Sequence, residues 1–131
     1  MRAVPMVILA LVVAALACSI NISTANIKSV KLTSDEAGQT ETEVYGPNDT
    51  FYAVVELANA PDDTQTKAVW TAVSAEGLEP NYNLGEYELE RGSGTVTFKI
   101  SPETAWPVGQ YRVEIFLNGE KKETLDFEVR Q

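Results

Sequence analysis

Cys18 has the clearest potential for chemistry, because it is the only cysteine in the chain and an ionised thiol is a strong nucleophile. The tripeptide Ala-Leu-Ala at 15–17 precedes it and closes an apolar run over residues 7–17, with the positive charge of Arg2 ahead of that run. A charged start, an apolar stretch and a small-residue end are the three parts of an export signal. The sequence therefore predicts cleavage next to Cys18.

Residues 1–18 resemble the signal peptide and lipobox of prokaryotic lipoproteins. Ala15 stands where leucine is commonest in that motif, and Leu16 stands where a smaller residue is usual. The resemblance implies that 1–17 is a signal peptide and that the Cys18 thiol takes a diacylglycerol, which serine could not do. Two or three acyl chains, such as palmitate, anchor firmly, whereas one binds marginally. Plain secretion and an uncleaved anchor are the alternatives.

Other catalytic chemistry has few residues to work with. The chain contains no histidine, and its one cysteine is assigned to the anchor, which excludes Ser-His-Asp and Cys-His arrangements and the common zinc sites. The remaining option is a carboxylate pair, either Asp62 with Asp63 or a set from Glu86, Glu88 and Glu90. The first pair suits a turn and the second a hydrated strand face, where carboxylates make poor general acids. We therefore expect no enzyme.

Calcium is the most serious metal candidate, since it binds several hard oxygen ligands. Asp62 and Asp63, with Asp35 and Glu36 elsewhere in the chain, are the candidates. Turn residues and hydrated acids explain the same pattern without a metal, and we expect no cofactor beyond the covalent diacylglycerol on Cys18.

Two tripeptides fit the acceptor pattern for N-glycosylation. They begin at Asn21 (Asn-Ile-Ser) and at Asn48 (Asn-Asp-Thr). Their modification depends on a host that glycosylates, so they are possible sites and the unmodified form is the expectation.

The charge of the chain excludes one class of partner. The chain has 10 Lys and Arg against 19 Asp and Glu, and Arg2 is the only charged residue in the predicted signal peptide, so the part that follows is still more acidic. Such a surface disfavours nucleic acid and polybasic docking to a membrane. With no second cysteine, the mature chain must fold without an internal disulfide.

The chain after the predicted signal peptide alternates between short β-type runs and turn residues, with no helical period. A polar tether is expected at 18–26 and a single domain at 27–131. Seven strands are predicted, at 27–32, 50–57, 67–75, 87–90, 95–100, 110–117 and 122–130. One apolar and one polar side per strand is typical of an antiparallel sandwich.

The predicted hairpin at Asn118-Gly119 poses a register problem. A two-residue loop would place Leu117 opposite Glu120 and mix core with polar positions. A three-residue or bulged turn removes the conflict and sets Val113 near residue 123 or 125. We therefore expect an irregular turn, with Gly119 in the left-handed conformation.

The domain resembles the immunoglobulin-like domains of bacterial surface lipoproteins, in an uncharacterised family. The resemblance rests on Trp70 in the third predicted strand, on the segment 106–119 (WPVGQYRVEIFLNG), and on Tyr111, which is placed like a tyrosine-corner residue. It implies an all-β immunoglobulin-like antiparallel sandwich of about seven strands. Trp106 is interpreted as corner packing rather than as a platform for sugars.

A partner surface is predicted where apolar residues occupy the polar side of two strands. If 67–75 and 110–117 are neighbours, Val69, Val73 and Phe116 lie together on the outer face. The alternative is that the tether or the connection at 76–86 folds over that face. Tyr82, in this connection, is a second candidate contact.

Three functions are compatible with these features. The first is a lipid-anchored, non-catalytic binding or assembly module of the cell envelope, at the outer membrane of a two-membrane cell or the outer face of a single plasma membrane. The second is a subunit of an extracellular filament or envelope complex that donates its N-terminal strand, 19–32, to a neighbour. The third is a small carbohydrate- or solute-binding domain. The expected partners are the membrane and an unknown envelope protein or a second copy.

Overall fold

A computed structural model describes residues 24–131, and in this part of the chain it contains eight β-strands and no helix. The predicted signal peptide, Cys18 and Asn21 lie outside the described residues. No helix long and apolar enough to cross a membrane is present in residues 24–131. The strands are β1 (Asn26–Thr33), β2 (Val44–Tyr45), β3 (Phe51–Ala58), β4 (Gln65–Ala75), β5 (Tyr82–Glu90), β6 (Gly94–Ile100), β7 (Gly109–Leu117) and β8 (Glu120–Val129).

The strands form two sheets, with the orders β1-β3-β6 and β2-β8-β7-β4-β5. All neighbouring strands are antiparallel except β2 and β8, which are parallel. Two facing sheets with this order confirm the predicted immunoglobulin-like sandwich. The prediction of seven strands missed β2, because two residues are too few to show alternation. It also began its fourth strand at residue 87, whereas the corresponding β5 begins at Tyr82.

An aromatic cluster forms the centre of the core, with the Phe51 ring in the middle. The Phe51 centroid lies 4.5 Å from that of Trp106 in a stacked arrangement and 4.7 Å from that of Phe127. Trp70, which lies in the third predicted strand and belongs to β4, is fully buried. The inward positions that alternation predicted in β6 and β7 are also buried, namely Val96, Phe98, Ile100, Tyr111, Val113, Ile115 and Leu117.

Two buried tyrosines tie connections to the core through their hydroxyl groups. Tyr111 Oη donates a hydrogen bond to the Pro107 carbonyl at 2.6 Å, as its placement as a corner residue predicted. Tyr45 Oη donates to the Thr33 carbonyl at 2.8 Å. Burial raises the pKa of each phenol from 10.0 to about 12. Both therefore keep their protons in the folded state at pH values where an unfolded tyrosine ionises.

Tyr111→Phe should change how stability depends on alkaline pH. Because the folded pKa is raised, the stabilisation is complete below about pH 10 and is lost as pH rises from about 10 to about 12. At neutral pH the variant should lose about 1 kcal/mol with the hydrogen bond to Pro107, and this deficit should shrink above pH 10. Urea unfolding at pH 8, 10 and 11 measures it, and a constant deficit across these pH values would contradict the assignment.

The β7–β8 hairpin solves its register problem by a bulge inside the strand pair. Asn118 and Gly119 have φ values of 49° and 84°, which is the left-handed pair of a two-residue type I′ turn. The register then shifts between Ile115 and Phe116, so that Val113 stands opposite Leu125. The Gly119 conformation was predicted, and Leu125 is one of the two predicted neighbours of Val113. The irregularity was expected in the turn and lies instead within the strand pair. The expectation that a two-residue loop is excluded was wrong: Leu117 stands opposite Glu120 although only 3% of Leu117 is exposed, because the bulge corrects the register inside the strand pair and not in the turn.

Candidate binding surface

The outer face of the larger sheet carries the first predicted surface. β4 and β7 are neighbours, with Lys67 opposite Phe116 and Val69 opposite Glu114. Val69 and Phe116 therefore share one face as predicted, and both are half-buried. Val73 lies at a bulge in β4 and is also half-buried. We call Val69, Val73 and Phe116 the outer patch.

Long charged side chains of the same sheet lie across the outer patch. The Lys67 Nζ is 4.7 Å from the centroid of the Phe116 ring, and it also lies 3.9 Å from the Glu86 carboxylate. The Glu114 carboxylate contacts Lys121 at 3.1 Å and Arg112 at 3.6 Å. The prediction that the connection 76–86 folds over the outer patch is wrong, because residues from Tyr82 onward belong to β5 and lie in the plane of the sheet beside β4.

Tyr82 lies on the opposite face from the outer patch. In the ladder between β4 and β5 it stands opposite Ala72, whose side chain is fully buried in the core. Tyr87 stands opposite Ala68 and Leu89 opposite Thr66, which are likewise buried. Residues that face each other across a ladder point to the same side of a sheet. Tyr82, Tyr87 and Leu89 are therefore on the inward side of β5, and we call them the β5 stripe.

The β5 stripe is inward-facing yet exposed to solvent. Tyr82, Tyr87 and Leu89 are 48%, 45% and 42% exposed, and among residues 24–131 only Val44 joins them as an exposed large hydrophobic residue. The cause is the unequal width of the sheets, because three strands face five and β5 and β6 both end their sheets. The apolar side of β5 therefore overhangs the smaller sheet.

A groove of about 380 Å³ runs between β5 and the chain that follows β6. Tyr82, Leu84 and Tyr87 line one side, and Ile100, Glu103 and Trp106 line the other. Gly85 makes room for the Tyr87 ring, since a Cβ at Gly85 would lie 3.3 Å from ring atoms of Tyr87. This cover of a glycine by an aromatic neighbour stabilises an edge strand.

Trp106 closes the inner end of the groove as part of the core. Its ring stacks on Phe51, and its Nε1–H donates to the Asp49 carbonyl at 2.7 Å. Only 9% of the residue is exposed. Corner packing is therefore confirmed, and Tyr82 and Tyr87 are the aromatic rings that the groove offers to a ligand.

The four acidic candidates for calcium do not form a common site, and two of them have other partners. Asp35 accepts backbone N–H bonds from Gln39 and Thr40 at 3.0 and 2.9 Å, and these bonds lower its pKa. Glu36 pairs with Lys99 at 3.1 Å, while Asp62 and Asp63 are exposed in the β3–β4 connection. Within residues 24–131, no three acidic, histidine or cysteine side chains come together as a metal site.

Asn48, the sequon residue within the described part, is exposed in the turn between β2 and β3. That turn is closed by the Asp49 N–H bond to the Gly46 carbonyl at 3.2 Å. The Asn48 side chain is therefore reachable by a modifying enzyme, and its glycosylation stays a prediction.

Solved structures of known proteins share the fold of this chain. No protein-family model and no curated protein sequence matches the chain. An immunoglobulin-like protein from Pseudomonas aeruginosa aligns with a TM-score of 0.57 and 14% identity over 82% of this chain and 98% of that one. The alkylpurine DNA glycosylase AlkC of Pseudomonas fluorescens aligns with a TM-score of 0.55 and 17% identity over 83% of this chain. A β-glucosidase from Listeria innocua gives 0.53 and 15% over 81%.

The two enzymes are much longer than this chain. The aligned region is 31% of the glycosylase and 16% of the glucosidase. At these identities the likeness shows a shared immunoglobulin-like fold, which is used by proteins of unrelated function.

Sequence reasoning missed Tyr87 and Leu89 as surface residues. Their alternation with Glu86, Glu88 and Glu90 indicates one apolar and one hydrated side of the strand. That interpretation holds for the direction of the side chains. The alternation carries no information on whether the apolar side meets another sheet.

Proposed function

We propose that this protein is a lipid-anchored, non-catalytic module of the cell envelope that binds a partner through the β5 stripe. The observation that carries the proposal is the exposure of Tyr82, Tyr87 and Leu89 on the inward side of an edge strand. Soluble domains seldom leave a contiguous apolar stripe uncovered, and such stripes mark interaction sites. Anchoring through Cys18 would hold this stripe close to a membrane, where an envelope partner is concentrated.

A non-catalytic role agrees with the chemistry of the groove. Glu103 is the one ionisable carboxylate among the groove residues, beside the phenols of Tyr82 and Tyr87. A single exposed carboxylate lacks the second group that acid–base hydrolysis of glycosides requires.

A second candidate function is the binding of a sugar or small solute in the groove. Tyr82 and Tyr87 border a space of about 380 Å³ together with polar groups of Ser101, Glu103 and Thr104. Aromatic rings beside a few polar groups are typical of small-ligand sites.

Site-specific photocrosslinking tests the proposed function. A photoreactive phenylalanine analogue is placed at Tyr82, at Leu89 or, as the matched control, at Phe116 of the full chain in membranes of the producing cell. We expect discrete adducts from positions 82 and 89 and none from 116. Adducts from 116 alone would move the site to the outer patch, and the absence of adducts at all three positions would overturn the binding role. Competition by soluble glycans at position 82 alone would favour the second candidate.

A further inference from the structure

β5 offers an open edge for a further strand. It ends the five-stranded sheet, it is nine residues long, and within residues 24–131 its only strand neighbour is β4. Natural proteins protect such edges with charged side chains, above all lysine, and with prolines, bulges or covering chain. The one bulge here lies near Gly85, between Trp70 and Thr71 of the partner strand, so residues 86–90 remain regular.

The hydrogen-bond pattern shows which residues direct their backbone N–H and C=O groups toward the open edge. The Arg91 N–H donates to the Thr64 carbonyl at 3.0 Å just beyond the ladder. Bonded and non-bonded pairs alternate along an antiparallel ladder. Leu89 and Tyr87 lie two and four residues before Arg91, so their backbone groups form hydrogen bonds with their partners in β4, Thr66 and Ala68. The backbone N–H and C=O groups of residues 86, 88 and 90 therefore point outward, toward the open edge.

The two faces of this edge have opposite chemistry. Tyr87 and Leu89 present apolar surface on one face, and Glu86, Glu88 and Glu90 are exposed on the other. Lys67 is 3.9 Å from Glu86, and Gln65 Nε2 donates to Glu90 at 3.1 Å, so part of the acidic row is already paired within the sheet.

The acidic face selects among the possible occupants. A second copy pairing through its own β5 would set glutamates opposite glutamates, which is destabilising across a ladder. A strand that alternates apolar residues with Lys or Arg instead extends the β5 stripe on one face and pairs with the glutamates on the other. Charge complementarity of this kind gives specificity and speeds encounter.

We propose that residues 86–90 accept, by strand addition, an extended segment of a partner protein in which apolar residues alternate with Lys or Arg. The inference rests on the proposed function, because it names the partner of the same side of the sandwich. The backbone groups of residues 86, 88 and 90 supply the ladder, and the side chains on the two faces supply the selection.

Labelled peptides test the proposal with the full chain in detergent. The first peptide alternates Lys and Val, the second alternates Glu and Val, and the third contains the Lys and Val residues of the first in two blocks. Fluorescence anisotropy should show binding of the first alone, with weaker binding at higher salt. Equal binding of the blocked peptide would mean attraction to an acidic protein without strand addition, and it would overturn the proposal.

Glu88→Pro tests the backbone part directly. Proline removes an N–H that faces the open edge, and edge strands tolerate proline at such positions. The Kd of the alternating peptide should rise about tenfold, which corresponds to about 1.4 kcal/mol of binding free energy. Glu120→Gln, a charge removal at the exposed β7–β8 turn, is the control and should leave binding unchanged. Equal loss in the two variants would also refute strand addition.

A second variant covers the case in which Glu88→Pro fails to fold. Leu89→Lys puts a cation on the apolar face and should abolish binding of the alternating peptide, while unchanged binding would overturn the proposal. If peptides fail to bind but photocrosslinks form at positions 82 and 89, this inference fails and the proposed function stands. If crosslinks are also absent, both fail.

Discussion

Cys18→Ser should move the protein completely from the membrane fraction to the soluble fraction. A serine hydroxyl cannot take the diacylglyceryl group that the thiol takes. The acyl chains hold the protein through about 0.8 kcal/mol for each buried CH₂ group, so their loss removes the whole membrane affinity that the proposed function assigns to this residue. Fractionation of cells with immunoblotting measures the distribution, and intact mass of the mature N-terminal peptide identifies the modification.

A relocated thiol provides the control for this experiment. Thr24→Cys in the Cys18→Ser background restores one cysteine at an exposed position beyond the predicted cleavage site, and the protein should stay soluble. An intact Met1 on the parent protein in the membrane fraction would instead show an uncleaved apolar anchor. A cleaved terminus without lipid in the parent protein would show plain secretion.

Phe51→Ala should be among the most destabilising single changes in the domain. Removing a fully buried phenylalanine costs about 3–5 kcal/mol, against a total stability of about 5–15 kcal/mol for a typical domain. Phe51 is 0% exposed, and its ring meets five other aromatic rings. Those rings belong to Tyr45, Trp70, Trp106, Tyr111 and Phe127.

The position of Phe51 explains why its loss cannot be repaired locally. It starts β3 in the smaller sheet, whereas Trp70, Tyr111 and Phe127 belong to the larger one, so the alanine would leave a cavity between the sheets. Since the chain has a single cysteine, no internal disulfide holds the sandwich together.

Phe116→Ala is the matched control for Phe51→Ala. It removes the same ring from a half-buried position on the outer face, beside Lys67, and should cost about 1 kcal/mol. Urea unfolding followed by tryptophan fluorescence compares the two variants. Equal losses in the two would contradict the placement of Phe51 at the centre of the core.

Period-two alternation was sufficient to find most of the strands. Val96, Phe98 and Ile100 point inward as that pattern predicted, because a strand that buries one side must place its apolar residues on alternate positions. The pattern was too weak for β2, which has two residues. It was also hidden at the start of β5 by Asn83 and Gly85, which have low strand propensity.

The candidate site was only partly predictable. Tyr82 was singled out from its place in a Gly- and Pro-flanked segment, and it does border the groove. Its position on the opposite face from Val69 and Phe116 depends on the pairing of β5 with β4, which places Tyr82 on the same side of the sheet as Ala72.

Local sequence established three things about this protein. These are the position of its single thiol, the lack of histidine in its sequence, and the apolar side of each long strand, since all three depend on residue type and spacing alone. Tertiary structure added which apolar sides are covered. Val113 and Tyr87 both alternate with charged neighbours, yet Val113 is buried and Tyr87 is 45% exposed. The difference arises because a sheet of three strands cannot cover a sheet of five.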